Sequence, residues 1–349
     1  MKIRLILFLT VVIICTVKSQ SQQPNPTYSL KKFSFPNESI RAIEVLNDSL
    51  LAFATSNGTI GFLSTTGTTT LHKVKYNSIA PHFRAISSSG TNLFALSVGN
   101  PALLFKYTNN KHTLVYKEMH EHVFYNTMKF FDERNGIAMG DPTGECLSVI
   151  ITRNGGSSWN KIPCNKLPET EKGEAAFAAS NTNISVIGSS AWLVTGGKKS
   201  RVFFTSDMGK TWKVFNSPII EGTATTGIYT VDFYNDKIGV IAGGDYTKKH
   251  NKSVNKAITI NGGETWSPIA ANSPPNYISC IQFVPNGRGK KIVAVSTNGI
   301  FYSSNTGKSW KKISGEPFYT IRFVNENLAW LAGNEVIAKM VVNFDEYTD

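Results

Sequence analysis

The sequence has little charge and no helical pattern. Only 17% of its 349 residues are Asp, Glu, Lys or Arg, Gly numbers 28, and no amphipathic helix of any length can be traced. No stretch has the composition of a linker or a low-complexity tract. Single all-β domains often exceed the usual ~150 residues per domain. These absences argue against a helical protein or separate domains and favour one continuous all-β domain.

Motifs for several chemistries are also missing. No Gly-x-Gly-x-x-Gly loop opens a helix and no cysteine pair has redox spacing, so nucleotide-dependent redox chemistry has no support. The six histidines are scattered and the cysteines lack metal-ligand spacing, so we expect no metal or other cofactor. The net charge of +12 suggests attraction to acidic surfaces, but no nucleic-acid motif accompanies it, so we expect no nucleic-acid partner.

One apolar run, Ile3–Val17, lies at the N-terminus between basic residues. It is too short to span a bilayer comfortably, so we interpret residues 1–19 as a secretory signal. The mature protein would then be periplasmic or secreted, with no transmembrane span. Two alternatives stay open: an uncleaved anchor, and lipidation at Cys15, which the bulky Ile14 disfavours.

A short pattern, Ser/Thr-x-Asp/Asn-x-Gly-x-x-Trp, occurs four times with spacings of 53, 54 and 44 residues. Periods of this length are typical of propeller blades. Asp or Asn can cap its own turn, Gly supplies a positive φ, and Trp buries a large apolar area between blades. We therefore expect structural roles for Asn154, Trp159, Asp207, Trp212, Asn261, Trp266, Asn305 and Trp310. The pattern is similar to the Asp-box (BNR) repeat of sialidases and of many unrelated propellers.

Seven first strands align along the chain: Arg41–Val45, Arg84–Ser88, Asn126–Phe130, Glu174–Ala178, Tyr229–Phe233, Ser279–Phe283 and Tyr319–Phe323. We predict one seven-bladed β-propeller of four-stranded antiparallel blades over residues 20–349. Its blades would span about 39–74, 82–118, 124–162, 173–215, 227–269, 277–313 and 318–344. Residues 27–35 would complete the last blade and remove an open sheet edge. Six blades is the alternative, and we expect a monomer.

In four-stranded blades the repeated hairpins share one face of the disc, and the first strands begin on the opposite face. Polar and aromatic residues collect there, and Arg offers bidentate recognition of carboxylate or phosphate. The predicted ligand-binding residues are Arg41, Arg84, Asn126, Asp141, Glu174, Arg201, Tyr229, Asp245 and Tyr246. The alternative is a structural network, in which Asp141 and Asp245 cap turns and the arginines pair with the acidic residues.

Four segments carry a further resemblance: Phe130–Pro142, Gly173–Ser180, Thr195–Val202 and Val240–Tyr246. Together they resemble a bacterial group related to the plant photosystem II stability/assembly factor, over about residues 39–340. The resemblance implies a seven-bladed propeller with a protein-binding or assembly role outside the cytoplasm. It also implies a basic patch for partner binding, for which Arg41, Arg84 and Arg201 are candidates.

Two function classes follow. The first is an exported, non-catalytic propeller that binds an envelope protein or an acidic or glycan ligand opposite the repeated hairpins. The second is a glycan hydrolase of the sialidase-like type, which needs carboxyl groups about 5–10 Å apart. Its candidate catalytic residues are Asp141, Glu174, Asp245 and Tyr246. We favour binding, because no nucleophile–base pair is recognisable.

Two cysteines, Cys146 and Cys164, lie nine residues either side of Gly155 in the third predicted hairpin. They can face each other across its strands and form a disulfide. Two free thiols are the alternative, because sequence alone does not fix the geometry. Cys280 falls on a predicted inner strand, where we expect a buried core thiol.

Overall fold

The computed structural model describes residues 26–344. The expected signal at 1–19 and the lipidation candidate Cys15 lie outside this range. Within it, every regular element is a β-strand except a 3-10 turn at Cys164–Lys166. No helix among these residues is long and apolar enough to cross a membrane.

The strands are short, apart from the first. In chain order they are β1 (Thr27–Asn47), β2 (Leu50–Thr55), β3 (Thr59–Ser64), β4 (Thr69–Lys73), β5 (Phe83–Ser89), β6 (Asn92–Ser97), β7 (Ala102–Thr108), β8 (Lys111–Glu118), β9 (Tyr125–Phe130), β10 (Gly136–Gly140), β11 (Ser148–Thr152), β12 (Asn160–Lys161), β13 (Glu174–Ala175), β14 (Ile184–Ile187), β15 (Ser190–Val194), β16 (Gly196–Gly197), β17 (Arg201–Thr205), β18 (Lys213–Asn216), β19 (Thr226–Phe233), β20 (Gly239–Asp245), β21 (Lys256–Thr259), β22 (Ser267–Pro268), β23 (Cys280–Phe283), β24 (Ile292–Ser296), β25 (Gly299–Ser303), β26 (Lys311–Ser314), β27 (Thr320–Asn325), β28 (Leu328–Ala332) and β29 (Asn334–Asn343).

These strands form antiparallel sheets. Four sheets have four strands each, in the orders β5-β6-β7-β8, β9-β10-β11-β12, β14-β15-β17-β18 and β23-β24-β25-β26. A fifth sheet, β19-β20-β21-β22, is extended by β16 and β13, and the sixth has the order β27-β28-β29-β1-β2-β3-β4. The first strands contact one another in the sequence β1, β5, β9, β14, β19, β23, β27 and back to β1. We call these the inner strands, because they surround the middle of the molecule.

Strand β1 belongs to two four-stranded units. Its first part, Thr27–Ser34, pairs with β29, and its second part, from Ile40 onward, pairs with β2. Aromatic packing holds the first part in place, since the ring centroids of Phe33 and Trp330 are 6.0 Å apart. The N-terminal strand therefore covers the edge that β29 would otherwise expose.

The apolar core is divided among the spaces between adjacent sheets. Trp159, which follows β11, packs edge-on against Phe94 of one sheet and Phe130 of the next, with centroids 6.2 and 5.6 Å away. Trp192 likewise stacks on Phe233 of the following sheet at 3.7 Å. Large aromatic side chains thus join neighbouring sheets, as predicted for the repeated Trp.

The four repeated turns, which we call the box turns, share two hydrogen bonds. The Thr or Ser hydroxyl accepts from the Gly N–H, and the Asp or Asn Oδ1 accepts from the N–H four residues further on. In the second, Thr205 Oγ1 accepts from the Gly209 N–H (2.8 Å), and Asp207 Oδ1 accepts from the N–H groups of Lys210 and Thr211 (both 2.9 Å). Gly209 has φ +89°, which favours glycine. The Trp212 Nε1–H donates to Gly209 O (3.2 Å). The turn is therefore held by its own residues.

The box turns define one face of the molecule. Each donates a backbone N–H to the turn that joins the first two strands of its own sheet, as Met208 does to Ser189 O (2.9 Å). Both kinds of turn therefore lie on the same side, the box face. The inner strands begin on the opposite side, where Arg41 and Arg84 lie, and we call that side the arginine face.

Asp207 makes one box turn sensitive to acid. Burial opposes its ionisation, but hydrogen bonds from Thr211, Thr205 and Lys210 together outweigh burial and hold its pKa at about 2. This value is below the ~3.9 of an unfolded Asp, so the stabilisation is present above about pH 4 and is lost as the pH falls towards 2. We expect Asp207→Asn, which copies the other three boxes, to lose less stability than the wild type over that interval. Urea midpoints of both proteins at several pH values measure this difference. Equal losses of stability between pH 4 and pH 2 in the two proteins would contradict the prediction.

The predicted first strand Glu174–Ala178 is wrong. The inner strand of that sheet is β14, which begins at Ile184, and Glu174–Ala175 instead pair with Gly196–Gly197. The residues between, Ala176–Asn183, enter the middle of the molecule, and we call them the central segment. The alanine-rich stretch imitates an apolar strand, but the polar run that follows it finds hydrogen-bonding partners among the other inner strands.

Cys146 and Cys164 form a disulfide, with S–S 1.98 Å and a Cα–Cα separation of 5.4 Å. Cys146 lies just before β11, and Cys164 begins the 3-10 turn that follows β12. Cys280 on β23 is a fully buried free thiol. The bond is thus local to one sheet and its following loop.

Candidate ligand-binding face

The central segment forms the floor of the arginine face. Ser180, Asn181, Thr182 and Asn183 are at most 4% exposed, although all four are polar. Buried polar groups require partners. Residues on or beside other inner strands supply them for Ser180, Asn181 and Thr182, whereas the Asn183 amide has none among the described residues. Asn181 Nδ2 donates to Ile86 O (2.7 Å), and its Oδ1 accepts from the Met128 N–H (3.1 Å). The segment is therefore fixed by residues far away in sequence.

Two arginines hold the outer end of this segment. Arg41 Nη1 donates to Ala179 O (2.9 Å), and Arg84 Nη1 donates to Ala178 O (3.1 Å). Among the described residues, the Nη2 group of neither arginine has a hydrogen-bonding partner, and neither forms an ion pair. Each guanidinium thus has one anchored end and one free end.

The charge of the pair is not neutralised locally. Burial, with further contributions from Arg84 and Arg41, lowers the pKa of His82 to about 4, so the ring is neutral at pH 7. It accepts from Arg84 Nε (2.9 Å). Burial and the neighbouring Arg41 lower the pKa of Arg84 to about 10, which leaves it charged at neutral pH. The arginine face therefore carries positive charge that suits an anionic group.

Aromatic rings continue the surface beside the arginines. The Arg41 guanidinium lies 3.7 Å from the ring centroid of Tyr319, a cation–π contact. The ring centroid of Tyr229 lies 4.3 Å from that of Phe177, 5.6 Å from that of Tyr277 and 6.4 Å from that of Tyr246. Tyr229 is buried, whereas Tyr246 is 44% exposed. The structure thus brings three predicted residues, Arg41, Arg84 and Tyr246, to one surface, and the buried Tyr229 lies beneath it.

Arg201 and Glu174 form a separate, closed pair. Arg201 Nε donates to both Glu174 oxygens (3.1 and 3.2 Å), and Arg201 Nη2 also donates to Glu169 O (2.9 Å). The Glu174 side chain is 0% exposed, and Thr195 Oγ1 donates to it as well. Both groups are already occupied by protein partners, so Arg201 does not extend the basic surface, and the predicted patch is smaller than expected.

Two of the remaining predicted polar residues, Asp141 and Asp245, support the backbone, whereas neither amide atom of the third, Asn126, has a hydrogen-bonding partner among the described residues. Asp141 Oδ1 accepts from the Ala176 N–H (2.9 Å), and burial raises the pKa of Asp141 to about 6. Asn126 is fully buried. Asp245 Oδ1 caps a turn by accepting from the N–H (2.9 Å) and hydroxyl (2.6 Å) of Thr247. Asp141 and Asp245 therefore match the alternative interpretation of turn and backbone support.

Sequence reasoning missed the central segment and three flanking residues, His82, Phe177 and Tyr277. One signal pointed to the segment: Ser180–Asn183 is a continuous polar run directly before the apolar Ile184, without Gly or Pro. Ser and Asn are common in surface turns, so the sequence alone favours a turn here and does not predict that the run is buried.

No protein-family model matches the chain, and no curated protein matches it. Solved structures do match. A structure of YCF48 bound to a D1 peptide is 12% identical, covers 94% of this chain and 100% of its own, and has a TM-score of 0.66. YCF48 from Cyanidioschyzon merolae is 12% identical, covers 89% of this chain and 98% of its own, and has a TM-score of 0.61. A streptogramin B lyase is 14% identical, covers 90% of this chain and 98% of its own, and has a TM-score of 0.66. At such identity the likeness shows the fold alone, which is that of a β-propeller.

Proposed function

We propose that this chain is an exported seven-bladed propeller that binds an acidic protein segment on the arginine face. Seven groups of four strands, counted by dividing β1 between two sheets, support the blade number. Export is supported by the apolar N-terminal run and by the Cys146–Cys164 disulfide, since such bonds persist mainly outside the cytoplasm.

The observation that carries the binding proposal is the pair of half-anchored arginines on the same face as the exposed ring of Tyr246. The carbonyl contacts of Arg41 and Arg84 fix both guanidinium groups in advance, so little conformational entropy is lost when an anion binds. Tyr246 and Phe177 add flat apolar surface, and Tyr and Arg are enriched among residues that dominate interface energies. A carboxylate flanked by apolar residues fits this combination. The similar YCF48 structure, which has a peptide bound, is consistent with a peptide ligand.

An array of acidic peptides, followed by titration of the best binder, tests the proposal. We expect Arg84→Gln and Tyr246→Ala each to weaken binding roughly tenfold or more, equivalent to about 1.4 kcal/mol. Binding to the wild type should weaken as salt is added, because solvent-exposed charges are screened. The control is Ile260→Ala, which removes a 75% exposed apolar side chain from a box turn on the opposite face.

Two results would overturn this assignment. One is peptide binding that Ile260→Ala weakens and Tyr246→Ala does not, which would place the site on the box face. The other is no binding by any acidic peptide. Because Arg84 also contacts the central segment, the Tyr246 variant carries the test if Arg84→Gln lowers stability.

A further inference from the structure

A second polar site lies on the other side of the central segment. A cavity of about 310 Å³, open to solvent on one side, lies among the inner strands, with Thr182 of the central segment in its wall. The inner strands contribute charged and amide side chains that surround it: Glu44, Lys129, Asp232, Gln282 and Arg322. It is separate from the arginine face, because the buried central segment lies between the two.

In each of three polar side chains of the cavity, one oxygen atom accepts a hydrogen bond from a backbone N–H. Glu44 Oε1 accepts from both the N–H and the hydroxyl of Ser88 (3.1 Å each). Asp232 Oδ2 accepts from the Phe283 N–H (2.7 Å), and Gln282 Oε1 accepts from the Phe323 N–H (3.3 Å). The Gln282 amide nitrogen makes no hydrogen bond to a described residue. Backbone contacts thus orient these groups before any ligand arrives.

The two cationic groups are incompletely satisfied. Lys129 Nζ has its nearest carboxylate oxygen at 3.6 Å, on Glu44, which is longer than a normal hydrogen bond. Arg322 is 6% exposed; its Nη groups donate to backbone carbonyls that include Ser180 O (3.0 Å), while its buried Nε has no partner in the described chain. An unsatisfied buried donor is unfavourable, so both groups favour a ligand that can accept hydrogen bonds.

The anionic side of the cavity is only partly compensated. Burial raises the pKa of Asp232 to about 7, although the Phe283 N–H, Arg322 and Lys129 all act in the opposite direction. An added positive group would stabilise the carboxylate form. Solvent reaches the site, since the side chains of Lys129 and Glu44 are 24% and 15% exposed.

We propose that this cavity binds a small zwitterion of the size of a free α-amino acid. Its ammonium group would lie against Asp232 and Glu44, and its carboxylate against Lys129 and the Gln282 amide. A ligand with only a positive or only a negative charge would leave either the two cationic or the two acidic side chains of the cavity without a ligand partner. In a low-dielectric site this is unfavourable. The volume is at the small end of ligand pockets, about 300–1,000 Å³, and holds on the order of ten water volumes of ~30 Å³.

The first test uses the unmodified protein. Each standard α-amino acid is screened at millimolar concentration by thermal shift, and the best is titrated by calorimetry. The matching amine without the carboxylate and the matching acid without the amine are titrated in parallel. We expect at least one amino acid to bind, and both analogues to bind at least tenfold more weakly. Failure of every amino acid, or equal binding of either analogue, would overturn the proposal.

The second test locates the site. Lys129→Met and Asp232→Asn should each weaken amino-acid binding at least tenfold, while Lys213→Met, an exposed lysine on the outer strand β18, should leave it unchanged. Circular dichroism and the urea midpoint establish that each variant is folded. Binding that survives both cavity substitutions places the ligand elsewhere and refutes the assignment. The arginine-face variant Tyr246→Ala should also leave amino-acid binding unchanged, which keeps this result distinct from the peptide test.

Discussion

Replacing Asn181 by Ala is expected to lower the free energy of unfolding by about 4 kcal/mol, a large share of the stability of most proteins. The Asn181 amide is fully buried and joins two inner strands through Ile86 O (2.7 Å) and the Met128 N–H (3.1 Å). Without it, a buried carbonyl and a buried N–H lose their partners, at about 1–3 kcal/mol each. Equilibrium urea unfolding measures the loss.

The matched control is Asn286→Ala. Both asparagines have a positive φ, 59° at Asn181 and 57° at Asn286, so both substitutions place Ala in the left-handed region. Asn286 is exposed, however, and within residues 26–344 its side-chain amide donates only to Glu326 (3.1 Å). The difference between the two variants therefore isolates the interior hydrogen bonds. Equal losses would mean that the central segment contributes nothing beyond backbone strain.

The same substitution connects stability to the arginine face. The central segment presents Ala178 O and Ala179 O to Arg84 and Arg41, so loosening it removes the acceptors that orient both guanidinium groups. We expect Asn181→Ala to weaken acidic-peptide binding even under conditions where the protein remains folded. The preorganisation of the site, as well as its charge, thus depends on a residue that contacts no ligand.

The repeated elements could be predicted from the sequence because their determinants are local. In each box turn the Thr or Ser hydroxyl, the Asp or Asn side chain and the Gly interact within five residues of one another, as Thr205, Asp207 and Gly209 do. Such patterns specify a turn wherever they occur. The same holds for most inner strands, whose apolar alternation reports burial directly.

The site was less predictable because its partners are distant. Asn181 is bound by residues 95 and 53 positions away, and Arg322 reaches Ser180 across 142 positions. No local pattern encodes such contacts, so the Ala-rich stretch was assigned to a strand. The pairing of Arg201 with Glu174, 27 residues apart, was open for the same reason. The sequence identifies the charged residues of the site, but which of them pair with each other and which remain available to a ligand depends on the tertiary structure.

Removing residues 1–35 is expected to destabilise the protein by at least about 5 kcal/mol and to cause aggregation. The deletion strips Thr27–Ser34 from β29 and exposes its unpaired backbone groups as a sheet edge. It also removes Phe33, which packs against the fully buried Trp330, and Phe35, whose ring lies 4.9 Å from that of Phe53. Urea unfolding and light scattering measure both effects.

A chain that begins at Pro26 is the control, since it keeps the whole of β1 and should match the full-length protein. A synthetic peptide of residues 27–35 should restore the urea midpoint of the shortened chain, because an extended peptide can add to an exposed edge. A scrambled peptide has the same composition without the register of Phe33 opposite Ile337, and should not. An unchanged midpoint after the deletion would show that pairing with β29 adds nothing to stability. Rescue by the native peptide alone would instead establish that the two ends of the chain are joined by a specific strand pairing.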